Sequence, residues 1–377
     1  MPGAYTPQVR TWLLRRTSSR QTSQANVPLR PGYQRETQDP EIQLEVGRVR
    51  WRDLFGLRGI RYRIFLNIPN RSLASGQPTR AAFRQLLPFT RSSDRVFIAR
   101  NEATPVGYAV FRVVRPDGRW QLEGIGANLG VYQLEPVWDE LIRAGIVAAG
   151  LEGTRRLFAR TSVGSDLASV LTGCGFTPYD RETILAAPLH ALRHSNTRIR
   201  RQQHSDVWAI HQLAMATVPQ PVQNAEALTS HHWDISRHLV SASVQSGWIM
   251  DDGNQVAAYI RADSRPDAHI LEFMVVPGSR DLFPELLSGV LSELAASPQR
   301  QVLILVRAHQ EEFIRPLLNR GFHPQAEQEL YVKYTTAAVR LPVAPVVTFP
   351  QEVKEPAAKR VPTFLKGASG DPASESS

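Results

Sequence analysis

Apolar and polar positions alternate most clearly between residues 95 and 125. Three short runs rich in β-branched and aromatic residues stand there, Arg95–Arg100, Val106–Val114 and Arg119–Ile125. Asn101-Glu102 separates the first two, and Arg115-Pro-Asp-Gly118 the second and third. Connections this short force neighbouring strands to run antiparallel, so the pattern predicts a three-strand meander. A glycine-bearing loop ends at Gly130, and the apolar spacing then turns helical over Leu134–Gly150. A strand over Arg156–Arg160, a short helix over Ser165–Leu171 and the pair Gly175-Phe176 follow. Upstream, the pattern predicts a strand over Val46–Arg50 and a helix over Arg52–Tyr62 with Asp53 as its cap. A polar loop over Arg71–Thr79 leads to a second helix, Thr79–Leu87, which Pro88 ends.

The order then repeats. A short strand over Arg198–Arg201 precedes a helix over Ser205–Thr217, a loop over Pro219–Trp233 and a helix over Ser236–Gln245. Trp248–Met250, Gln255–Ala262 and Ala268–Val276 predict another meander, with turns at Asp252-Gly253 and Arg265-Pro266. A helix over Leu282–Ala296, a buried strand over Gln301–Val306, a helix over Glu311–Leu318, Gly321-Phe322 and a strand over Glu329–Tyr334 complete it. Val49 matches Ile199 at an offset of 150, Leu122-Glu123 matches Leu271-Glu272 at 149, and Gly175-Phe176 matches Gly321-Phe322 at 146. Two copies of one unit explain this series. The shrinking offset predicts a shorter loop after the central strand of the second copy. Each central sheet would leave an open edge, so the copies are expected to share an interface.

Composition sets the frame. The chain has 377 residues, 42% hydrophobic and 21% charged, which suits a two-domain globular protein. Residues 1–41 are rich in Arg, Ser and Gln and read as a disordered basic leader. Residues 341–377 carry six prolines and no hydrophobic period, and read as a disordered tail. The expected domains are therefore 42–190 and 196–340. No apolar run approaches the roughly 20 residues that span a bilayer, and no secretory signal is recognised. A single cysteine, Cys174, forms no internal disulfide and suits a reducing compartment; the expected location is cytoplasmic. Net charge is +9, from 40 Arg and 4 Lys against 35 acids, and 11 Arg fall between Val46 and Arg95. A basic face of this kind attracts an acidic substrate, an anionic cofactor or nucleic acid, but no aromatic-interleaved nucleic-acid motif accompanies it.

The element order, Leu122-Glu123 on the central strand, and Ser165, Ala168, Gly175 and Phe176 near the last helix resemble the GNAT family of acyl-CoA-dependent N-acyltransferases. The resemblance implies an α/β (α+β) chain of two GNAT-like domains, each a mixed, mostly antiparallel sheet flanked by helices. It implies acetyl-CoA as co-substrate and a small-molecule or peptide amine as acceptor. The basic Arg48–Arg95 stretch, on elements that cover the acceptor site in this family, suggests an acceptor that carries negative charge. Glu123 and Glu272 take the position of the general base, with a pKa raised by partial burial. Ile125, Ala127, Leu129 and Gly130, with Met274, Val276 and Arg280 in the second copy, take the positions that bind the cofactor. The family's phosphate loop is only partly matched. Ala127-Asn-Leu-Gly-Val-Tyr keeps one close-approach glycine, Gly130, and Val276-Pro-Gly-Ser-Arg-Asp is about three residues short. Leu171 and Leu317 stand where the family often has an acidic tyrosine, which leaves Tyr132 or Tyr179 as substitutes. The alternative is a non-catalytic protein of the same fold that binds an anionic ligand or RNA.

Other constellations carry less. Gly124–Gly130 lacks the parallel context of a dinucleotide loop. His204, His211, His231, His232 and His238 lack a metal spacing, and no metal is expected. Trp208, Trp233 and Trp248 are expected in the core or a pocket wall.

Overall fold

The computed structural model describes residues 44–60, 62–65, 78–87, 92–114, 118–128, 134–192, 199–235, 244–253, 255–295 and 300–335. The leader, the tail, the 71–77 loop, Leu129, Gly130, Tyr132, and residues 236–243 of the expected Ser236–Gln245 helix lie outside them.

The first half runs β1 (Leu44–Arg48), α1 (Asp53–Leu57), β2 (Tyr62–Phe65), α2 (Pro78–Leu86), β3 (Asp94–Asn101), β4 (Thr104–Val114), β5 (Arg119–Ala127), α3 (Leu134–Leu151), β6 (Arg156–Ser162), α4 (Asp166–Gly173) and β7 (Thr177–Pro188). The second runs β8 (Arg200–Arg201), α5 (Val207–Thr217), α6 (Gln220–Glu226), β9 (Val244–Asp252), β10 (Gln255–Ser264), β11 (Ala268–Val275), α7 (Leu282–Leu294), β12 (Gln301–Arg307), α8 (Ile314–Asn319) and β13 (His323–Tyr334). Both expected meanders form, as β3-β4-β5 and β9-β10-β11. In each half a long helix then crosses to a strand parallel to the third, β6 beside β5 and β12 beside β11. This is the GNAT-like order, twice.

Four expectations need correction. The Arg52–Tyr62 helix is one short turn, after which the chain becomes β2. Asp53 is the first helical residue, and its carboxylate accepts the Arg50 N–H at 2.6 Å. Pro219–Trp233 is mainly helical, because Pro219 precedes α6 and a 3-10 turn follows at Ser230–Trp233. Val244 and Gln245 begin β9.

The closing Gly-Phe pairs have one structural job. Gly175 and Gly321 have φ of +80° and +95°, a region open chiefly to glycine. The Phe176 N–H bonds to Leu171 O at 3.0 Å, and Phe322 N–H to Leu317 O at 3.2 Å, ending α4 and α8 alike. Leu171 and Leu317 are fully buried in the two main cores.

The halves do not close separately. Among the described residues, thirteen strands form one sheet in the order β1-β3-β4-β5-β6-β13-β7-β12-β11-β10-β9-β8, with β2 on β5. The last strand of each half lies in the other's sheet: β13 pairs with β6, and β7 pairs with β12. At the centre β7 and β13 pair with each other, with Glu182 opposite Gln328. Helices α3 and α7 bury the two largest apolar clusters, while α1 with α2, and α5, cover separate clusters.

Candidate functional site

The parallel strands part in both halves. β5 and β6 pair only at Trp120–Leu157 and Gln121–Phe158. β11 and β12 pair from Ala268–Gln301 to Leu271–Ile304. Beyond those points the third strand of each half offers a backbone edge that β6 or β12 does not use.

In the first half β2 takes that edge. Tyr62 lies opposite Ala127, Ile64 opposite Ile125 and Phe65 opposite Gly124. Arg63 fixes the strand, since its guanidinium donates to Ile60 O (2.7 Å), Leu57 O (3.0 Å) and Arg58 O (3.2 Å) around the end of α1. Ile125 and Ala127, expected to bind cofactor, therefore face a strand of their own chain.

In the second half no described strand covers the edge past Leu271. The Gln310 amide donates to Phe273 O at 2.7 Å, so Phe273 directs its backbone away from β10. Alternation along a strand gives Val275 the same direction. Val276 N–H instead bonds to Ala257 O at 2.9 Å, towards β10. The edge residues are thus Phe273 and Val275 rather than Met274 and Val276. The one-residue error comes from a bulge. Val110 faces Gly124 and Phe111 faces Leu122, which leaves Glu123 as an extra residue. By register Glu272, opposite Arg261, corresponds to Gly124 opposite Val110, not to Glu123.

The loop before α7 is closed on itself. Ser279 N–H bonds to Val276 O, Leu282 N–H to Ser279 O, and Phe283 N–H to Arg280 O. Arg280 pairs with Glu312 at 2.9 Å. These groups do not form the phosphate cradle the resemblance implied.

A cavity of about 260 Å³ opens beside the β11 edge, between the halves. A second, of about 230 Å³, shares Arg160, Arg261 and Glu272 with it and also takes in Glu123, Arg112 and Asp263. Glu123 is buried and lies 3.8 Å from Arg112. Arg261 donates to Glu272 at 2.5 Å. Burial alone would raise the Glu272 pKa, but Arg261, Arg160 and His232 outweigh it and hold the carboxyl at about 2. The expected raised pKa is therefore reversed at Glu272: it is an ion-paired carboxylate and a weak base.

Around Arg307 the cavity carries a buried ionic cluster. Arg307 pairs with Glu226 and, at 3.3 Å, with Asp180. Glu182 lies 3.2 Å from Arg160 and 4.0 Å from Arg307. Burial pushes Glu182 up, against Arg160 and Arg307, while Arg307 outweighs burial at Glu226 and holds it down. Tyr179 donates to Glu226 at 3.1 Å, and burial followed by the Glu226 charge raises its pKa. Tyr179 thus reaches the cavity as a protonated phenol.

Sequence reasoning missed His309. It lines the cavity, one residue before Gln310 in the 3-10 turn that follows β12. Its buried Nδ1 has no hydrogen-bond partner. Burial first, and Arg307 second, lower its pKa below the usual 6.5, so the ring is neutral at physiological pH. The His-Gln pair had no spacing signal; only the parting of β11 from β12 places it.

None of the described residues of the basic 48–95 stretch lines either cavity. Arg48 and Arg95 pair with Glu152, Arg50 with Glu45, Arg84 with Asp94, and Arg100 with Asp53. Trp233 lines the cavity and Trp248 is core, whereas Trp208 is exposed.

The topology therefore defines a tandem of GNAT-like units joined in one sheet. No protein-family model and no curated protein sequence matches the chain. Its structure is similar to the GCN5-related N-acetyltransferase from Sphaerobacter thermophilus, at 12% identity and TM-score 0.48 over 69% of this chain and 86% of that one. It is similar to a tandem GNAT protein from the clavulanic acid biosynthesis pathway, solved without AcCoA, at 13% identity and TM-score 0.48 over 78% of this chain and 100% of that one. A putative acetyltransferase from Pyrococcus horikoshii aligns at 10% identity and TM-score 0.45, over 78% and 90%. No helix among the described residues is long and apolar enough to cross a membrane.

Proposed function

We propose that the protein is an acyl-CoA-dependent N-acyltransferase with one working donor site, in the second half. The observation that carries this reading is the β11 edge past Leu271, which no described strand covers and where Gln310 takes only the Phe273 carbonyl, opening beside a cavity with a neutral histidine. An extended pantetheine arm pairs with such an edge as a strand would. Acyl-CoA supplies an activated thioester carbonyl. His309 takes one proton from the acceptor's ammonium, the neutral nitrogen attacks the thioester carbonyl to form the C–N bond, and as the C–S bond breaks the second proton passes from nitrogen to the leaving sulfur, which departs as the free CoA thiol. Tyr179 keeps its proton and donates it in a hydrogen bond to Glu226 in the cavity wall. The first half lends Arg119, Phe158, Arg160 and Tyr179 to the cavity wall. The closed loop before α7 favours a second reading, a binding protein without catalysis.

Calorimetric titration with acetyl-CoA separates the two. The expected result is one site per chain. His309→Asn should keep that binding and lower kcat with an accepted amine by about 10²-fold or more. Two sites per chain would contradict β2 as the occupant of the first edge. No binding up to millimolar concentration would leave the non-catalytic reading.

A further inference from the structure

The outer surface of α1 and α2 sets three aromatic rings among arginines. Along α1 and the turn before it, Asp53 and Leu57 are buried, and Trp51, Arg52, Phe55 and Arg58 face solvent. Along α2, Pro78, Ala81 and Ala82 are buried, and Arg80, Phe83 and Arg84 face solvent. Both helices pack on β3 and β4, through Leu57 and Ala81 against Val96 and Val110. Their outer faces meet, with the Trp51 and Phe83 rings 6.2 Å apart, edge to face. Phe55 follows Trp51 by about one helical turn and lies on the same side. Trp51 is 53% exposed, Phe83 50% and Phe55 84%, although rings of this size are ordinarily buried.

Part of the positive charge on this face is not neutralised by neighbours. Arg48, Arg50 and Arg84 are paired, with Glu152, Glu45 and the buried Asp94. The guanidiniums of Arg52, Arg58 and Arg80 make no ion pair or hydrogen bond among the described residues. Neither helix exposes an acid, because Asp53 is fully buried against Arg100 and α2 has none. The leader joins the fold at β1, whose last residue, Arg48, stands just before Trp51, and residues 1–35 add six arginines without an acid.

We infer that this face binds single-stranded nucleic acid. Unpaired bases stack on exposed rings, and the phosphates between them take the guanidiniums that lack a partner. A duplex keeps its bases stacked on one another and leaves the rings unused. An acidic peptide would engage the guanidiniums alone. A membrane-binding face joins rings to exposed aliphatic side chains, and the described residues of α1 and α2 expose no large aliphatic one. The sequence holds no linear nucleic-acid motif here, because Phe83 reaches Trp51 only through the packing of α2 beside α1. The inference stands apart from the transferase reading, since none of these residues lines either cavity.

Fluorescence anisotropy on the purified full chain tests this, with a labelled oligouridylate of about a dozen nucleotides, its duplex with oligoadenylate, and phosphatidylserine vesicles alongside. The expected result is micromolar binding of the single strand at low salt, with the duplex weaker by about 10-fold or more. The slope of log K on log salt should be about −2 or steeper, as phosphate contacts from Arg52, Arg58 and Arg80 require. Trp51→Ala combined with Phe55→Ala should weaken the single strand by about 10-fold or more, bring it level with the duplex and leave acetyl-CoA titration unchanged. Both rings are exposed, so this variant should melt as wild type does. Replacing Arg52, Arg58 and Arg80 together by Gln should make the salt slope shallower by about 2. Equal affinity for single strand and duplex in the wild type, or unchanged affinity in the aromatic double variant, would mean that charge alone binds and would overturn the inference. No binding at about 100 µM protein in low salt would do the same. So would vesicle binding without oligonucleotide binding, lost in the aromatic variant, which would assign the face to a membrane.

Discussion

His269 shows how a single side chain makes the fold sensitive to acid. It lies on β11 at 2% exposure, with Nδ1 against Ser264 Oγ at 2.8 Å and a buried Nε2 that has no partner. Burial, assisted by Arg300, lowers its pKa to about 4. Above pH 6.5 the ring is neutral in folded and unfolded chains alike, and contributes nothing to the pH dependence. As pH falls from 6.5 towards 4, the unfolded chain takes up a proton that the folded chain refuses, so stability declines across that window. At pH 4.5 the loss from this residue is about 2–3 kcal/mol. Urea unfolding at pH 7.5 and 4.5 should show His269→Gln losing less stability between the two than wild type, by about that amount; equal losses would refute the assignment. The same scale shows what was hard to read in the sequence. Leu122-Glu123 and Leu271-Glu272 look alike, and their likeness placed a glutamate on each central strand. The bulge at Glu123 leaves no mark in composition, so the register, and with it the edge residues Phe273 and Val275, came out one position away. The pairing of Glu272 with Arg261 is a contact across strands, eleven residues apart, that depends on the same register.

Among the elements, α3 combines a fixed point and a free one. A Cβ added at Gly145 would lie 2.3 Å from Phe111 Cζ, on the core side against β4. One added at Gly150 would meet nothing within 4 Å. Alanine gains up to about 1 kcal/mol over glycine in a helix interior, and overpacking a filled core costs about 1–3 kcal/mol. Gly150→Ala should therefore raise the melting temperature, and Gly145→Ala should lower stability by about 1–2 kcal/mol net, both read by chemical denaturation. Equal effects at the two positions would show that Phe111 does not set the spacing of α3 on the sheet. Element type was legible wherever the period was long, as in α3, α7 and both meanders. It failed where tertiary pairing overrides the local pattern. Arg52–Tyr62 has helical spacing, yet Tyr62 already pairs with Ala127, because an open edge on β5 recruits the chain once α1 ends. The loop expected at Pro219–Trp233 became α6, which carries Glu226 into the cavity. That is why the acidic side of the site was not visible beforehand.

At the scale of the molecule, the exchange of closing strands makes each half depend on the other. The repeat was legible as matching residues at offsets near 150, and so was the need for each sheet to cover an edge. Which strand covers which edge was not, because β7 and β13 have equivalent places in the repeat and either could close β6. In the folded chain β13 lies between β6 and β7, and β12 on the other side of β7, so residues 44–192 alone would leave one side of β6 and both sides of β7 unpaired. Open edges of this kind beside a formed core favour association over a lone monomer. Because β7 pairs with β13 about the centre where Glu182 meets Gln328, a second β7 could take the place of β13. Residues 44–192 expressed alone should run as a dimer or larger by light scattering, and coexpression with 199–335 should give a one-to-one heterodimer instead. The cavity is built from both halves, so only the heterodimer should regain the ligand binding of the intact chain. A stable, monodisperse monomer of 44–192 would mean that β7 can fold back onto β6, and that the exchanged arrangement is a consequence of linking the copies rather than a requirement for either to fold.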